Sequence, residues 1–357
     1  VLAVMPGMVW AQAAVSPPAP AVHASSVTIA GIAPSADAVP SPKGARARPP
    51  RLDTAALAAQ PLISGPRLSP DGQSLAARLS TQGRVMLGIV PLFGEGKSAY
   101  IPLDSSSFSL NWFRWMGNST LLLSVGKTVQ FMGDDAYQTR LVAYDVPTGK
   151  MHFLGEAEEG LKGDDVLWCD PEGKTLLMAY QRTIYDYPSV WSVEVATNKR
   201  KKMVDARDNV WDWYADQVGV VRAGFIHDGK SWEMIYRGGP NDKFRTVVKA
   251  SNHDEDAGVE ATRIFQGSDE GYRTLLNETT GRYALYRFNF ATRQRGEMVF
   301  GSQRNDVDDF DTTEDGKEPF SVDYTDSRDQ VFWLEKDLAE VEESIDKLLG
   351  EGQHGVI

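Results

Sequence analysis

Cysteine is nearly missing from this 357-residue chain: Cys169 stands alone, which excludes an internal disulfide and a zinc site built on several thiolates. Flanked by Leu167 and Trp168, it reads as a buried, inert thiol. Positive charge is also scarce. Lys and Arg number 37 against 49 Asp and Glu, a net charge of −12, and Lys199 to Lys202 is the one basic cluster. That balance repels phosphate backbones and sets nucleic acid aside as a partner. No apolar stretch approaches the roughly 18 residues that a membrane-spanning helix needs, so no membrane span is expected. Histidine is sparse, and His23, His152, His227 and His354 show no ligand spacing, so each reads as a packed or surface residue. No cofactor is expected.

What is present begins with the apolar run Val1 to Trp10, followed by Ala11-Gln12-Ala13, an A-x-A cleavage pattern. Residues 1–13 read as the remnant of a secretory signal whose start lies upstream. The expectation is a soluble protein exported to the periplasm or beyond. Residues 14–60 are rich in Ala, Pro and Ser, with Pro17, Pro18, Pro20, Pro34, Pro40, Pro42, Pro49 and Pro50. Proline at this density blocks both helix and sheet ladders, so the segment reads as a linker with a short helical stretch near Thr54 to Ala59.

From Pro61 a pattern repeats. Turns of Pro, Asp, Glu, Asn and Gly recur at Asp71, Gly117-Asn118, Glu172, Gln217, Glu270 and Asp315, with a mean step of about 49 residues. Each is followed by a short apolar run: Leu75 to Leu79, Leu121 to Val125, Leu176 to Tyr180, Val218 to Val221, Thr274 to Leu276 and Phe320 to Tyr324. A second, alternating or β-branched run comes next, as in Val85 to Val90, Leu141 to Val146 and Trp232 to Tyr236. Short strands joined by hairpin turns at this period predict an all-β protein, a β-propeller with six recognisable blades of seven, over residues 61–335. A β-sandwich also gives short strands, but not six units of regular period. Trp112, Trp115, Trp168, Trp211 and Trp213 are expected to fill the space between neighbouring sheets. Over 336–357 the pattern changes: Leu338, Val341, Ile345, Leu348 and Leu349 share one face of a helix that Gly350 stops. The residues past this helix read as the start of a truncated last blade.

Certain stretches resemble a known family. Pro66-Arg67-Leu68-Ser69-Pro70-Asp71-Gly72, Trp112 to Gly117 with Thr120-Leu121-Leu122, Leu141 to Gly149, Arg222 with Tyr236-Arg237, and Phe332-Trp333-Leu334 before the acidic helix are similar to blades of prolyl-oligopeptidase-family serine peptidases. The resemblance covers about residues 55–357 and is closest to the exported bacterial aminopeptidase branch, with its acylaminoacyl- and dipeptidyl-peptidase-like enzymes. It implies a propeller that gates peptide substrates, and an α/β-hydrolase domain as its partner carrying Gly-x-Ser-x-Gly, then Asp, then His. No Gly-x-Ser-x-Gly occurs here; Gly72-Gln73-Ser74-Leu75-Ala76 and Gly229-Lys230-Ser231-Trp232-Glu233 each lack the second glycine. The expectation is a chain with no catalytic residue, inactive alone, truncated before the hydrolase domain.

Other constellations are weaker. His253-Asp254-Glu255-Asp256 and the carboxylates Asp306, Asp308, Asp309, Asp311, Glu314 and Asp315 raise metal binding, but counted from Asp311 the twelfth position of a calcium loop is Val322, not Glu. Both read as solvated loops, and no metal is expected. The tryptophans read as core before a stacking platform. Tyr185-Asp186-Tyr187-Pro188 lies in a long hairpin loop of the third blade and reads as an ordinary loop before one that reaches the substrate chamber of a complete enzyme. A non-enzymatic periplasmic propeller that binds proteins is the main alternative; a metal-dependent propeller lactonase ranks last, for want of repeated inward-facing carboxylates.

Overall fold

A computed structural model of the chain describes residues 61–81, 84–94, 96–103, 108–155, 160–229, 231–251, 262–313 and 316–349. All of them fall within the unit that spans Ala59–Ile357. The signal and linker readings, the His253 to Asp256 cluster, and Glu314 and Asp315 lie outside the described residues.

The repeat resolves into sheets in chain order. The first blade is β1 (Ile63–Leu68), β2 (Ser74–Thr81), β3 (Arg84–Pro91) and β4 (Ala99–Pro102). The second is β5 (Ser109–Met116), β6 (Thr120–Phe131), β7 (Asp134–Asp145) and β8 (Lys150–Leu154). The third is β9 (Asp165–Cys169), β10 (Thr175–Tyr180), β11 (Ser189–Glu194) and β12 (Arg200–Val204). The fourth is β13 (Val210–Ala215), β14 (Val221–His227), β15 (Ser231–Tyr236) and β16 (Arg245–Ser251). The fifth is β17 (Thr262–Ile264), β18 (Glu270–Asn277), β19 (Arg282–Asn289) and β20 (Gln294–Phe300), and the sixth is β21 (Asp309–Thr312), β22 (Pro319–Thr325) and β23 (Asp329–Trp333). Each sheet is an antiparallel meander whose strands pair in sequence order, the arrangement of propeller blades.

The middle strands explain why the fold is one of stacked sheets. β10 reads TLLMAY, apolar at every position after the first, because both of its faces are covered. Leu176, Met178 and Tyr180 pack with Leu122, Leu141 and Ala143 of the second blade. Leu177 and Ala179 point the other way, onto Val210 and Trp213 of the fourth. The same two-sided burial joins the first blade to the second, the fourth to the fifth, and the fifth to the sixth. The core is thus a series of apolar layers between consecutive blades.

The tryptophans do sit in the first strands, and three of them also tie sheets or loops by hydrogen bonds. Trp115 donates Nε1–H to the carbonyl of Arg67 at 2.9 Å, and Trp168 to that of Gln217 at 2.8 Å, each reaching an adjacent blade. Buried Trp213 donates to Pro188 at 2.9 Å, fixing the end of the β10–β11 loop. Trp213→Phe therefore leaves a buried carbonyl without its donor. A loss of about 1–3 kcal/mol in urea unfolding is expected, and an unchanged midpoint would show that bond to be idle.

One strand begins later than the apolar pattern predicts. Val218 to Val220 belong to a turn and β14 starts at Val221. The Asp216 carboxylate accepts backbone N–H bonds from Val218 (3.3 Å) and Val220 (2.9 Å), and Gly219 has φ +76°, so the turn outcompetes the ladder for these residues. The closing helix α1 (Lys336–Leu349) forms where the helical spacing places it. Its Leu338 and Ile345 are half-buried, while Val341 and Leu348 remain exposed, because among the described strands it packs chiefly on β23. No helix among the described residues is long and apolar enough to cross a membrane.

Candidate functional site

β6 and β7 are 12 residues each, longer than any other described strand, and are joined by a two-residue turn at Met132-Gly133 with φ +52° and +95°. Positive φ at both positions gives a primed turn that suits the twist of a hairpin. β5 pairs with β6 only as far as Ser109 opposite Gly126. Beyond that point residues 127–138 form a projecting two-stranded ribbon, with Met132 at its tip 75% exposed. Tyr137 folds its ring over Gly126, where a Cβ would lie 2.5 Å from the ring, and its hydroxyl donates to Asn111 Oδ1 at 2.6 Å.

At the base of the ribbon the segment 160–165 gathers side chains from three blades. Gln138 Nε2 and Arg140 Nη2 of the second blade both donate to the Gly160 carbonyl at 3.0 Å. Ser124 Oγ donates to Asp164 at 2.6 Å, and Thr139 Oγ1 to its other oxygen. Gln181, just after β10, accepts from the N–H groups of Leu161 and Lys162 and donates to the Asp186 carbonyl, which brings the β10–β11 loop to the same end of the blades as the ribbon. Lys162 then reaches the fourth blade, donating to the Trp211 carbonyl at 3.1 Å and to Asp212 Oδ1 at 2.6 Å.

Charge in this hub is unevenly shared. Burial pushes the Asp165 carboxyl up to about 6, and the neighbouring Asp212 and Asp164 charges add to the rise that Lys162 only partly offsets. Lys162 moves the other way from what burial dictates: its ammonium is held above the ordinary lysine value by Asp165 and Asp212. The geometry reconciles the two, since Lys162 hydrogen-bonds Asp212 but stands 3.8 Å from Asp165. The Cys169 thiol is half-buried, not fully buried as its flanks imply, and lies 3.5 Å from Arg114 Nη2. Burial raises its pKa despite that guanidinium, so it is a poor nucleophile at neutral pH.

Beside the hub a cleft of about 410 Å³ opens between the first and second blades. Ile101, Leu103, Leu123, Val142, Met151 and Phe153 give it an apolar wall. The charged residues on its lining are Lys127 and Arg140, with no carboxylate among them, in a chain of net charge −12. A cleft of this size and character suits apolar groups oriented by a few polar ones.

Of the residues singled out in the sequence, the Tyr185 loop does join this end of the molecule. Tyr185 is 78% exposed, Tyr187 packs edge-on against Trp211 at 5.1 Å, and its hydroxyl donates to Asn209 at 2.7 Å. Asp306 instead accepts from the Tyr283 N–H at 2.8 Å and pairs with Arg282 on β19 of the fifth blade, while Asp308, Asp309 and Asp311 sit at the sixth. Repulsion from Asp308, Asp309 and Asp311 adds to burial in raising the pKa of Asp323 there. Among the described residues no three His, Cys, Asp or Glu side chains group in a way that would hold a metal ion. Sequence reasoning missed the hub and the ribbon. The alternation Lys127-Thr128-Val129-Gln130-Phe131 before Met132-Gly133 was a readable hairpin signal.

No family model and no curated protein matches the sequence. Solved structures do resemble it in fold. The Porphyromonas gingivalis dipeptidyl peptidase 4 is 11% identical, with a TM-score of 0.45 over 79% of this chain and 46% of its own. The Pyrococcus horikoshii acylaminoacyl peptidase is 14% identical, with a TM-score of 0.45 over 81% of this chain and 46% of its own. This chain thus spans under half the length of either peptidase. The β-propeller domain of the trilobed protease from Pyrococcus furiosus is 16% identical, with a TM-score of 0.41, over 76% of this chain and 82% of that domain. The last of these is a propeller domain, and independently of it the strand order of this chain is that of an all-β propeller.

Proposed function

We propose that this chain is the substrate-selecting β-propeller of an exported serine peptidase resembling the prolyl-oligopeptidase family, with acyl transfer carried out by an α/β-hydrolase domain that this chain does not contain. The observation that carries the reading is the gathering of the ribbon, the Tyr185 loop, the polar hub and the apolar cleft at one end of the blades. The motif resemblance from Pro66 to Trp333 supports it, and Ala11-Gln12-Ala13 supports export. In this role the chain's own residues admit and position peptide while the ribbon and loop exclude bulky substrates by size.

The test starts with the coding sequence after Ile357, in which Gly-x-Ser-x-Gly followed by Asp and His is expected. The full product should cleave short chromogenic peptides and leave folded proteins intact. Replacing residues 128–137 by a two-residue turn should raise the rate on an unfolded casein relative to the short peptide. A stop codon within a few triplets of Ile357 would leave a non-enzymatic binding propeller, and an unchanged rate ratio would remove the ribbon from the gate.

A further inference from the structure

The third blade passes to the fourth through residues 205–209, and there two arginines meet one aromatic ring. Arg207, in that connection, and Arg237, just past β15, each set a guanidinium against Phe244. Their Cζ atoms stand 4.9 and 4.6 Å from the ring centroid, so the two cations lie no farther apart than those distances together allow. Phe244 is half-buried and tilted at 59° on buried Trp213, with the ring centroids 5.4 Å apart. A ring anchored in this way holds a guanidinium by its π face and sets the direction of its donors.

Among the described residues neither charge is answered by a carboxylate at ion-pair distance. Asp205 is taken by Lys202 at 2.6 Å and Asp216 by Arg222 at 3.1 Å. Asp242 turns Oδ2 toward the Gly238 backbone, where a Cβ would lie 3.2 Å from it. Burial first, then repulsion from Arg207 and Arg222, lowers the Arg237 pKa, and Asp242 offsets this least of the charges around it. Arg237 uses two donors inside the chain, Nε on the Val221 carbonyl at 2.7 Å and Nη1 on that of Pro240 at 2.8 Å, which leaves Nη2 to an outside acceptor. Exposed Arg207 donates to nothing among the described residues.

The open donors decide the ligand. A carboxylate fills one guanidinium fork with its two oxygens, while a tetrahedral oxyanion keeps further oxygens for a second. Two like charges held on one ring also call for a doubly charged complement. We propose that Arg207 and Arg237, aligned on Phe244 where the third blade meets the fourth, form a binding site for a doubly charged tetrahedral oxyanion, a phosphate or phosphate monoester. The site shares no residue with the hub, the ribbon or the cleft, and it stands whether or not a hydrolase domain follows.

The experiment is calorimetric titration of the 357-residue chain at low salt and mildly alkaline pH, where phosphate is a dianion. The probes are inorganic phosphate, acetate as a monoanion, and phosphatidylcholine vesicles with and without phosphatidic acid. Phosphate is expected to bind at about millimolar concentration, and acetate about tenfold more weakly. Arg207→Gln should weaken phosphate about tenfold, as for loss of a charge-assisted contact. Because Arg207 donates to nothing in the chain, that variant should keep the wild-type urea midpoint in phosphate-free buffer. Arg207→Lys keeps the charge without the fork and should recover only part of the affinity. Given phosphate binding, phosphatidic acid vesicles that hold the wild type and release Arg207→Gln would assign the phosphate to a lipid headgroup. Vesicles that hold neither would assign it to a soluble monoester, and both results sustain the site. Equal phosphate affinity in Arg207→Gln and wild type, acetate bound as tightly as phosphate, or no phosphate binding well above millimolar concentration would each overturn the proposal.

Discussion

Arg222→Ala is expected to lower the unfolding free energy by about 3–5 kcal/mol, because it strips the partner from a buried carboxylate. The Arg222 and Asp216 side chains are each 1% exposed and meet at 3.1 Å. The guanidinium also donates to the Arg237 carbonyl (3.0 Å), the Tyr236 hydroxyl (2.7 Å) and the Ser268 carbonyl (2.6 Å). Ser268 precedes β18, so the side chain bolts the fourth blade to the fifth. Tyr236 passes the network on by donating to Asp269; burial foremost, with that bond, raises its pKa well above the usual phenol value. Alanine leaves the Asp216 charge with only the N–H groups of Val218 and Val220, and orphans two carbonyls. Urea unfolding followed by tryptophan fluorescence measures the loss, and a change below about 1 kcal/mol would contradict the argument. The pair Arg222→Met with Asp216→Leu should recover only the part of the loss that comes from the unpaired charge, since it still leaves the two carbonyls, and now the Val218 and Val220 N–H groups, without these partners.

The second large effect is at the hub. Lys162→Met is expected to cost about 2–3 kcal/mol at pH 7, less than a fully buried pair because the lysine side chain is 31% exposed. It leaves Asp165 and Asp212 facing each other without the ammonium. The pH dependence carries a definite sign. Asp165 titrates near 6 in the folded chain and near the ordinary aspartate value when unfolded, so the folded state binds its proton more tightly. Stability from this group is therefore greatest below about pH 4, falls as the pH rises through 6, and stays reduced above it. Asp165→Asn removes that slope and should gain about 1–2 kcal/mol at pH 7, allowing for partial solvation of the carboxylate. In Lys162→Met the deficit should shrink at pH 5, where protons replace the missing cation. A deficit that does not vary between pH 5 and 7 would show that the loss comes from packing alone.

Blade order was legible because the turns advertise themselves chemically. Ser69 donates to the Asp71 carboxylate at 2.6 Å, Gln73 N–H donates to it at 3.0 Å, and Gly72 takes φ +67°. Those bonds, Ser69's first, hold the Asp71 carboxyl below its usual value. Local chemistry of this sort needs only a few adjacent letters, and so does the two-sided apolar run of β10. The candidate site was not legible for the opposite reason. Ser124, Thr139, Asp164 and Asp212 are single polar letters in strands and loops, brought together across three blades. Nothing in the residues beside Asp164 marks it as the acceptor of Ser124, 40 positions earlier. The Val218 turn shows the same limit in reverse, since its apolar letters hid an aspartate that captures the backbone beside it.

Four of the side chains that bond from one blade to the next share an asymmetry in some of their bonds. Arg78 donates to the carbonyls of Leu110 and Asn111, Arg114 to Val166, Lys162 to Trp211, and Arg263 to Phe310. In each the donor is a particular side chain, but the acceptor is a main-chain oxygen that all twenty amino acids supply. Half of each of these particular bonds is therefore blind to residue identity. Leu110 or Val166 can drift to any residue that keeps the strand without loosening the grip upon it, while a change at Arg78 or Arg114 breaks it at once. A propeller joined partly in this way can change the residues that carry these acceptor carbonyls and still assemble blade upon blade.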